Sequence, residues 1–311
     1  MNSATDFLAA ILETAAIAVL APLIPGTIQW LKAYMQGRLG QPPWQPYREL
    51  RRLWNKSCVR PSTSSLIYGS APAVVAACQL TAILLLVPPG TGTYGPIGND
   101  MLVLVGVLTL GRFVLALSAF DTSSGFGLMA ASRELMLSVW AEVALLLALL
   151  LEALPARSTS LLAMERATAG AAVWASPAHY CALVALALVI LTETGRQPVD
   201  NPDTHLELTM IHEGPLLEYA GPDLAYLQWA AAARHALLLV MAGAIFLPHL
   251  GQSTADLAAS TLLWVLVIIV ALAITETFFA KMRLLRVPNM LATGSLVAIL
   301  GSISWFTTVG K

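Results

Sequence analysis

The chain has 311 residues, of which 57% are hydrophobic and 11% charged, and its mean hydropathy is +0.73. Soluble domains carry roughly 25% charged residues, so this composition describes an integral membrane protein. The formal net charge of −1 excludes a global basic field that would hold nucleic acid. The scattered cysteines Cys58, Cys78 and Cys181, with no C-x-x-C pair, give this chain no means of holding an iron–sulfur cluster or a structural zinc by itself.

A bilayer core takes about 20 apolar residues per helix. Eight apolar runs approach that length, near residues 6–25, 66–88, 101–120, 134–154, 173–192, 225–247, 260–280 and 288–306. The spacing therefore predicts an all-α bundle of about eight transmembrane helices forming one membrane domain over 1–311. The first run carries Glu13, lacks a basic stretch before it and is followed by no small-residue cleavage site, which marks it as a retained helix. Pro22 and Pro25 shorten it.

The connection at 26–65 holds Lys32, Arg38, Arg48, Arg51, Arg52, Lys56 and Arg60. Within it, residues 44–56 alternate aromatic or leucine positions with arginines at helical spacing, the pattern of an amphipathic helix lying at the membrane interface. Two roles stay open for it, a topology anchor and a docking face for a partner. Docking would use Arg38, Tyr47, Arg48 and Arg51, with Lys281 and Arg283 from the connection before the last span. Arg133, Arg196 and Arg286 add to the same side, whereas Arg157, Arg166 and Lys311 lie on the other. The excess of bases places the long loops in the cytoplasm and both termini outward.

Ionisable groups inside a bilayer cost about 2.5–3.5 kcal/mol each on insertion scales and are functional candidates by default. Arg112 lies in the third run, Glu134, Glu142 and Glu152 in the fourth, Arg234 and His235 in the sixth and Glu276 near the end of the seventh. At about 100° per residue Glu134 and Glu152 share a meridian, about 27 Å apart along the axis, and Glu142 is about 80° away. Such acids beside a movable Arg or His load and release protons. A permanent structural pairing with Arg112 or Arg234 is the competing reading.

Within the polar loop 193–224, residues 193–218 set Glu193, Asp200, Asp203, Glu207, Glu213 and Glu218 against Arg196 as the only Lys or Arg. Pro198 and Pro202 exclude a continuous helix from 196 to 203, and Asp203 or Thr204 is a suitable N-cap for a short helix to about 213. His205 and His212 share a face of that helix, but the spacing fits neither H-E-x-x-H nor an EF-hand, so no metal ligands are assigned. The loop serves either as a solvated docking surface or as a gate between a partner and the bundle.

Four stretches resemble the membrane subunit of energy-converting NiFe hydrogenases of the formate hydrogenlyase type, the relative of complex I subunit 1. They are Gln36-Gly-Arg-Leu-Gly with Gln45-Pro-Tyr-Arg-Glu-Leu; Phe120-Asp-Thr-Ser-Ser-Gly-Phe-Gly with Ser132-Arg-Glu-Leu and Ala141-Glu142; Glu193-Thr-Gly-Arg-Gln-Pro-Val-Asp-Asn-Pro-Asp-Thr-His-Leu-Glu-Leu; and Lys281-Met-Arg-Leu-Leu-Arg-Val-Pro. In the complex I relative the loop usually opens E-T-N-R-x-P-F-D; Gly195 and Val199 stand here in place of its Asn and Phe, which favours the hydrogenase branch. The resemblance implies an inner-membrane module for proton or ion coupling. It would anchor a hydrogenase large subunit with the NiFe site and a small subunit with iron–sulfur clusters, and would contact antiporter-like membrane subunits. This chain would contribute no catalytic residue and no cofactor. Glu142 corresponds to the family's membrane acid, and Glu193, Arg196, Asp200, Asp203, Glu207 and Glu218 to its charged loop. With Glu134, Arg112, Arg234 and His235 they form the expected proton relay. Two alternatives remain at this point: a quinone-binding subunit of a complex I-like dehydrogenase, and a free-standing ion transporter or passive anchor.

Overall fold

The computed structural model describes residues 3–62, 64–86, 99–200, 211–249, 251 and 253–309. Among these there are twelve α-helices and no strand. The first pair is α1 (Ser3–Leu20) and α2 (Leu23–Met35), followed by α3 (Gln45–Trp54), α4 (Leu66–Leu85) and α5 (Met101–Asp121). Then come α6 (Gly125–Ala156), the short α7 (Leu161–Thr168) and α8 (Ala171–Trp174), and α9 (Pro177–Glu193). The last three are α10 (Gly221–Met241), α11 (Thr254–Phe278) and α12 (Val287–Val309).

Seven segments are long and apolar enough to cross a membrane, and α9 is a shorter apolar helix of 17 residues, at the lower limit of spanning length. The chain is therefore a multi-pass helical membrane protein.

The first span departs from its expected end near residue 25. It runs from Ala10 to Met35 as one apolar segment, interrupted but not ended by the prolines. Pro22 caps α2 and Pro25 lies in its first turn, where a missing N–H does no harm. The break leaves carbonyls at the end of α1 without helical donors, because Pro22 has no N–H to offer Ala18. The Trp229 indole donates to the Ala18 carbonyl at 3.1 Å, and the Tyr47 hydroxyl donates to the Val19 carbonyl at 2.5 Å. Through these two bonds α10 and α3 are fastened to the kink. Gly26 permits the crossing of the α2–α3 connection, since a Cβ there would lie 2.0 Å from the Pro43 carbonyl oxygen.

The fourth span also differs. The gap between the third and fourth apolar runs, 121–133, shrinks to Thr122–Ser124, and α6 extends over 32 residues, about 48 Å at 1.5 Å per residue. Arg133 and Glu134 are thus helical. The buried leucines and alanines of α6 pack against α5, α9 and α12. Glycines bring α12 close to α9, with Gly301 against Cys181 and Gly294 against Leu188. At its end α10 passes into a buried π-helical turn, Ala242–Phe246. α3 lies against α10 and α2; Leu53 is buried, Trp54 meets Tyr226 edge-to-face at 4.9 Å, and Arg48, Arg51 and Arg52 are exposed.

Candidate functional site at the root of the acidic loop

The site begins where α9 ends. Thr194 caps the helix, the Gly195 N–H bonds to the Thr192 carbonyl, and the Arg196 N–H to that of Leu191. This pair of bonds is a Schellman ending, which requires the left-handed conformation that Gly195 adopts at φ +60°. The glycine has a second consequence. A Cβ at this position would lie 2.7 Å from Cδ2 of His212, so only a residue without one allows the imidazole to press against the turn.

His212 joins the loop to the bundle. Its Nε2 donates to the Thr192 carbonyl at 2.8 Å, and its Nδ1 lies 2.9 Å from a carboxylate oxygen of Glu134 on α6. An acceptor at each nitrogen holds the ring as an imidazolium. Burial opposes that charge, but the neighbouring Glu134, followed by Glu193 and Asp200, raises the His212 pKa to about 9.

From Glu193, the last residue of α9, the charges continue inward. Its carboxylate contacts Arg112 of α5 closely and Arg234 of α10 at 3.6 Å; Arg112 in turn reaches Glu142 of α6 at 3.5 Å. Three acids, Glu134, Glu142 and Glu193, and three bases, Arg112, Arg234 and imidazolium His212, therefore stand among four helices and the loop. Only the Glu142 and His212 side chains are more than about a fifth exposed, at 21% and 27%. An electroneutral buried group of this kind avoids the cost of isolated charge.

A second group pins the start of the loop. Arg196 donates to Glu276 of α11 at 2.9 Å, and Lys32 of α2 lies 3.7 Å from the same carboxylate. Asp200 accepts from Lys281 at 2.7 Å and from the Ile211 backbone N–H at 3.2 Å. His235 on α10 is buried. Arg196, Asp200, His212 and His235 all face one cavity of about 610 Å³. Its other walls are α2, α3 and α10, with Pro22, Pro25, Gln29, Gln45, Leu50 and Gln228 among the lining residues.

The structure thus brings together Glu134, Glu142, Glu193, Asp200, Arg112, Arg196 and Arg234, and sets His235 at the cavity. Glu218 contributes its backbone carbonyl, which accepts from the Tyr68 hydroxyl. Asp203, Glu207, His205 and the expected helix over them fall outside the described residues, except for its last turn; residues 211–213 are bent rather than helical. Of the basic docking candidates, Arg38, Arg48, Arg51 and Arg283 are exposed, whereas Lys281 is bound to Asp200. Three members lie outside the relay expected from the sequence: His212, Lys32 and Glu276. Glu276 stands out in the sequence as an acid in an oily helix, whereas Lys32 reads as a loop base and is instead helical, buried and directed at Glu276. Among the described residues no group of three or more His, Cys, Asp or Glu side chains is arranged to hold a metal ion.

The NADH dehydrogenase family profile matches residues 8–307. The chain belongs to this family. It is 33% identical over 307 residues to hydrogenase-4 component C of Escherichia coli (strain K12), covering 96% of this chain and 95% of that protein. It is 29% identical over 301 residues to formate hydrogenlyase subunit 4 of the same organism, covering 94% and 97%. Its fold is similar to a chain of the membrane-bound sulfane sulfur reductase, an archaeal respiratory membrane complex. The TM-score is 0.81 at 21% identity, over 96% of this chain and 99% of that one.

Proposed function

We propose that this family member is the membrane anchor and proton-coupling subunit of a group 4, formate hydrogenlyase-type NiFe hydrogenase complex in the cytoplasmic membrane. The loop and α3 face the cytoplasm and carry the redox arm, a hydrogenase large subunit with the NiFe site and a small subunit with iron–sulfur clusters. Antiporter-like subunits adjoin the bundle. The observation that supports this reading best is the alternation of charge from the loop into the bundle, from Asp200–Lys281 and Arg196–Glu276 to His212–Glu134 and on to Arg112, Glu193, Arg234 and Glu142.

In this scheme, a change of charge or position in the attached redox arm alters the hold of Lys281 and Arg196 on the loop. Residue 211 is tied to Asp200, so the disturbance reaches His212 next. When His212 withdraws from Glu134, that carboxylate loses its cation and accepts a proton; when it returns, the proton is released toward Glu142. Glu134 and Glu142 are about 12 Å apart along the helix, so Arg112 and Glu193 carry the electrostatic part of the coupling between them.

Mild solubilisation followed by mass spectrometry of co-purifying chains tests the assignment. Hydrogenase large and small subunits are expected, and a chain that purifies alone yet moves ions contradicts it. Glu142→Gln and Asp203→Asn are expected to depress coupled proton movement with assembly intact.

The cavity of about 610 Å³ favours one second reading, a quinone-binding subunit of a complex I-like dehydrogenase. It has the size of a small-molecule site, with apolar Pro22, Pro25 and Leu50 on its walls and Arg196, His212 and His235 as polar groups. Inhibition of turnover by quinone-site inhibitors would favour that reading over the first.

A further inference from the structure

The far end of α6 carries a buried acid that the charged site does not use. Glu152 is 1% exposed and lies about 27 Å along the helix from Glu134. One of its oxygens, Oε1, is 2.8 Å from Nδ1 of His179, in the first turn of α9 and 3% exposed. The edge of Trp174 packs against the imidazole with ring centroids 4.4 Å apart, and its indole N–H is fixed by the Thr168 carbonyl at 2.8 Å.

A purely structural staple satisfies its polar atoms. This one leaves three buried atoms without a hydrogen-bond partner among the described residues: Glu152 Oε2, His179 Nε2 and Ser176 Oγ. All three residues line one recess, closed by Leu151, Val173 and Trp305 and too tight for a water molecule. The pair is joined through Oε1 and Nδ1, and one atom at each end, Glu152 Oε2 and His179 Nε2, is left over to take a proton.

We infer that Glu152 and His179 form a proton-binding dyad at the end of the bundle opposite the charged site, a terminal station for protons crossing this subunit. The inference rests on the proton-coupling reading above and extends it to the other surface. Of the recess residues only these two carry an ionisable side chain. Further titratable groups on elements packed at this end are Asp100 at the start of α5, Arg157 at the end of α6, Glu165 and Arg166 on α7, and Tyr180 and Cys181 on α9; none lines the recess. Asp100 accepts from the Leu102 N–H and the Thr159 hydroxyl, and the Tyr180 hydroxyl donates to the Trp174 carbonyl.

Infrared difference spectra of the intact complex, titrated from about pH 5 to about pH 8, test the dyad. The expected result is a carboxylic C=O band that titrates in the wild type, is lost in Glu152→Gln, and moves its midpoint by about one pH unit, tenfold in proton affinity, in His179→Gln. Absence of a titrating band assignable to Glu152, or a midpoint indifferent to His179→Gln, would overturn the proposal. If His179→Gln does not assemble, His179→Asn is compared instead: a shifted midpoint supports the dyad, and an unshifted one rejects it. The band reports proton binding whether or not the complex pumps. A wild-type complex that turns over in sealed vesicles without moving protons defeats the coupling reading separately.

Discussion

The two ends of α6 hold carboxylates in opposite ways. Towards the loop, Glu134 and the mid-helix Glu142 belong to a group of alternating acids and bases drawn from α5, α9, α10 and the loop, and Glu193 touches two arginines at once. Near its finish, Glu152 has one partner and an aromatic cover. A crowded, electroneutral group allows a charge to be handed between alternative partners with little change in solvation, whereas an isolated pair can only gain or lose a proton. The first arrangement suits a switch driven from the loop and the second a single binding site.

The largest effect is expected where one acid serves two bases. Glu193→Gln leaves Arg112 and Arg234 with one full carboxylate fewer, and breaking such buried pairs costs about 3–5 kcal/mol. The thermal midpoint of the detergent-solubilised complex should fall by many degrees. An unchanged midpoint would mean that Glu142 takes over both arginines, and the two ends of α6 would then differ less than their contacts suggest. Glu152→Gln, which disturbs a single partner, should lower the midpoint far less.

Next comes Gly195→Ala. It combines a left-handed backbone, about 1–2 kcal/mol for a residue with a Cβ, with a collision against His212. Coupled proton movement should drop while the α6–α9 packing at the far end stays intact. Hydrogen exchange at 211–213 and at 178–182 reads the two regions separately, and equal loosening at both would show that the substitution acts globally.

A smaller effect is expected from pH alone. The His212 pKa lies at about 9, above the ordinary histidine value near 6.5. The stabilisation it gives the docked loop is therefore fully present below about pH 6.5 and is lost as pH rises through about 9. Limited proteolysis of the loop should accelerate over that window in the wild type and not in His212→Gln; identical profiles would detach the histidine from the loop's hold.

The smallest effect concerns Glu165 on α7. Burial lifts its pKa to about 7, against the opposing pull of Arg166. A carboxyl raised in this way stabilises the fold below its ordinary value and ceases to as pH rises through about 7. Glu165→Gln should raise the thermal midpoint at pH 8 and leave it unchanged at pH 4, and a pH-independent difference would refute the burial argument.

Much of the bundle was legible in the chain because apolar runs and bilayer thickness are matched quantities. The boundaries that moved have local causes. Pro22 and Pro25 look like a stop, yet at the start of a helix they let the span resume and reach Met35. Residues 125–133 lie outside the apolar runs, yet they are helical and pack on α5 through Gly127 and Ala131. The acids of the site were visible because charge is conspicuous in oil. Their partners were not, because Asp200 and Lys281 are 81 residues apart and nothing in the local pattern joins them. Lys32 was masked by the bases that follow it, and the link between His212 and Glu134 depends on Gly195, whose role appears only when the turn is built.

Proton uptake by sealed vesicles containing the assembled complex, measured together with hydrogenase turnover in wild type, His212→Gln and Glu134→Gln, tests the central claim most directly. Turnover that persists in both variants while proton movement is abolished is the predicted result. Unaltered proton movement per turnover in both would contradict the account and reduce these charges to a structural tie between loop and bundle.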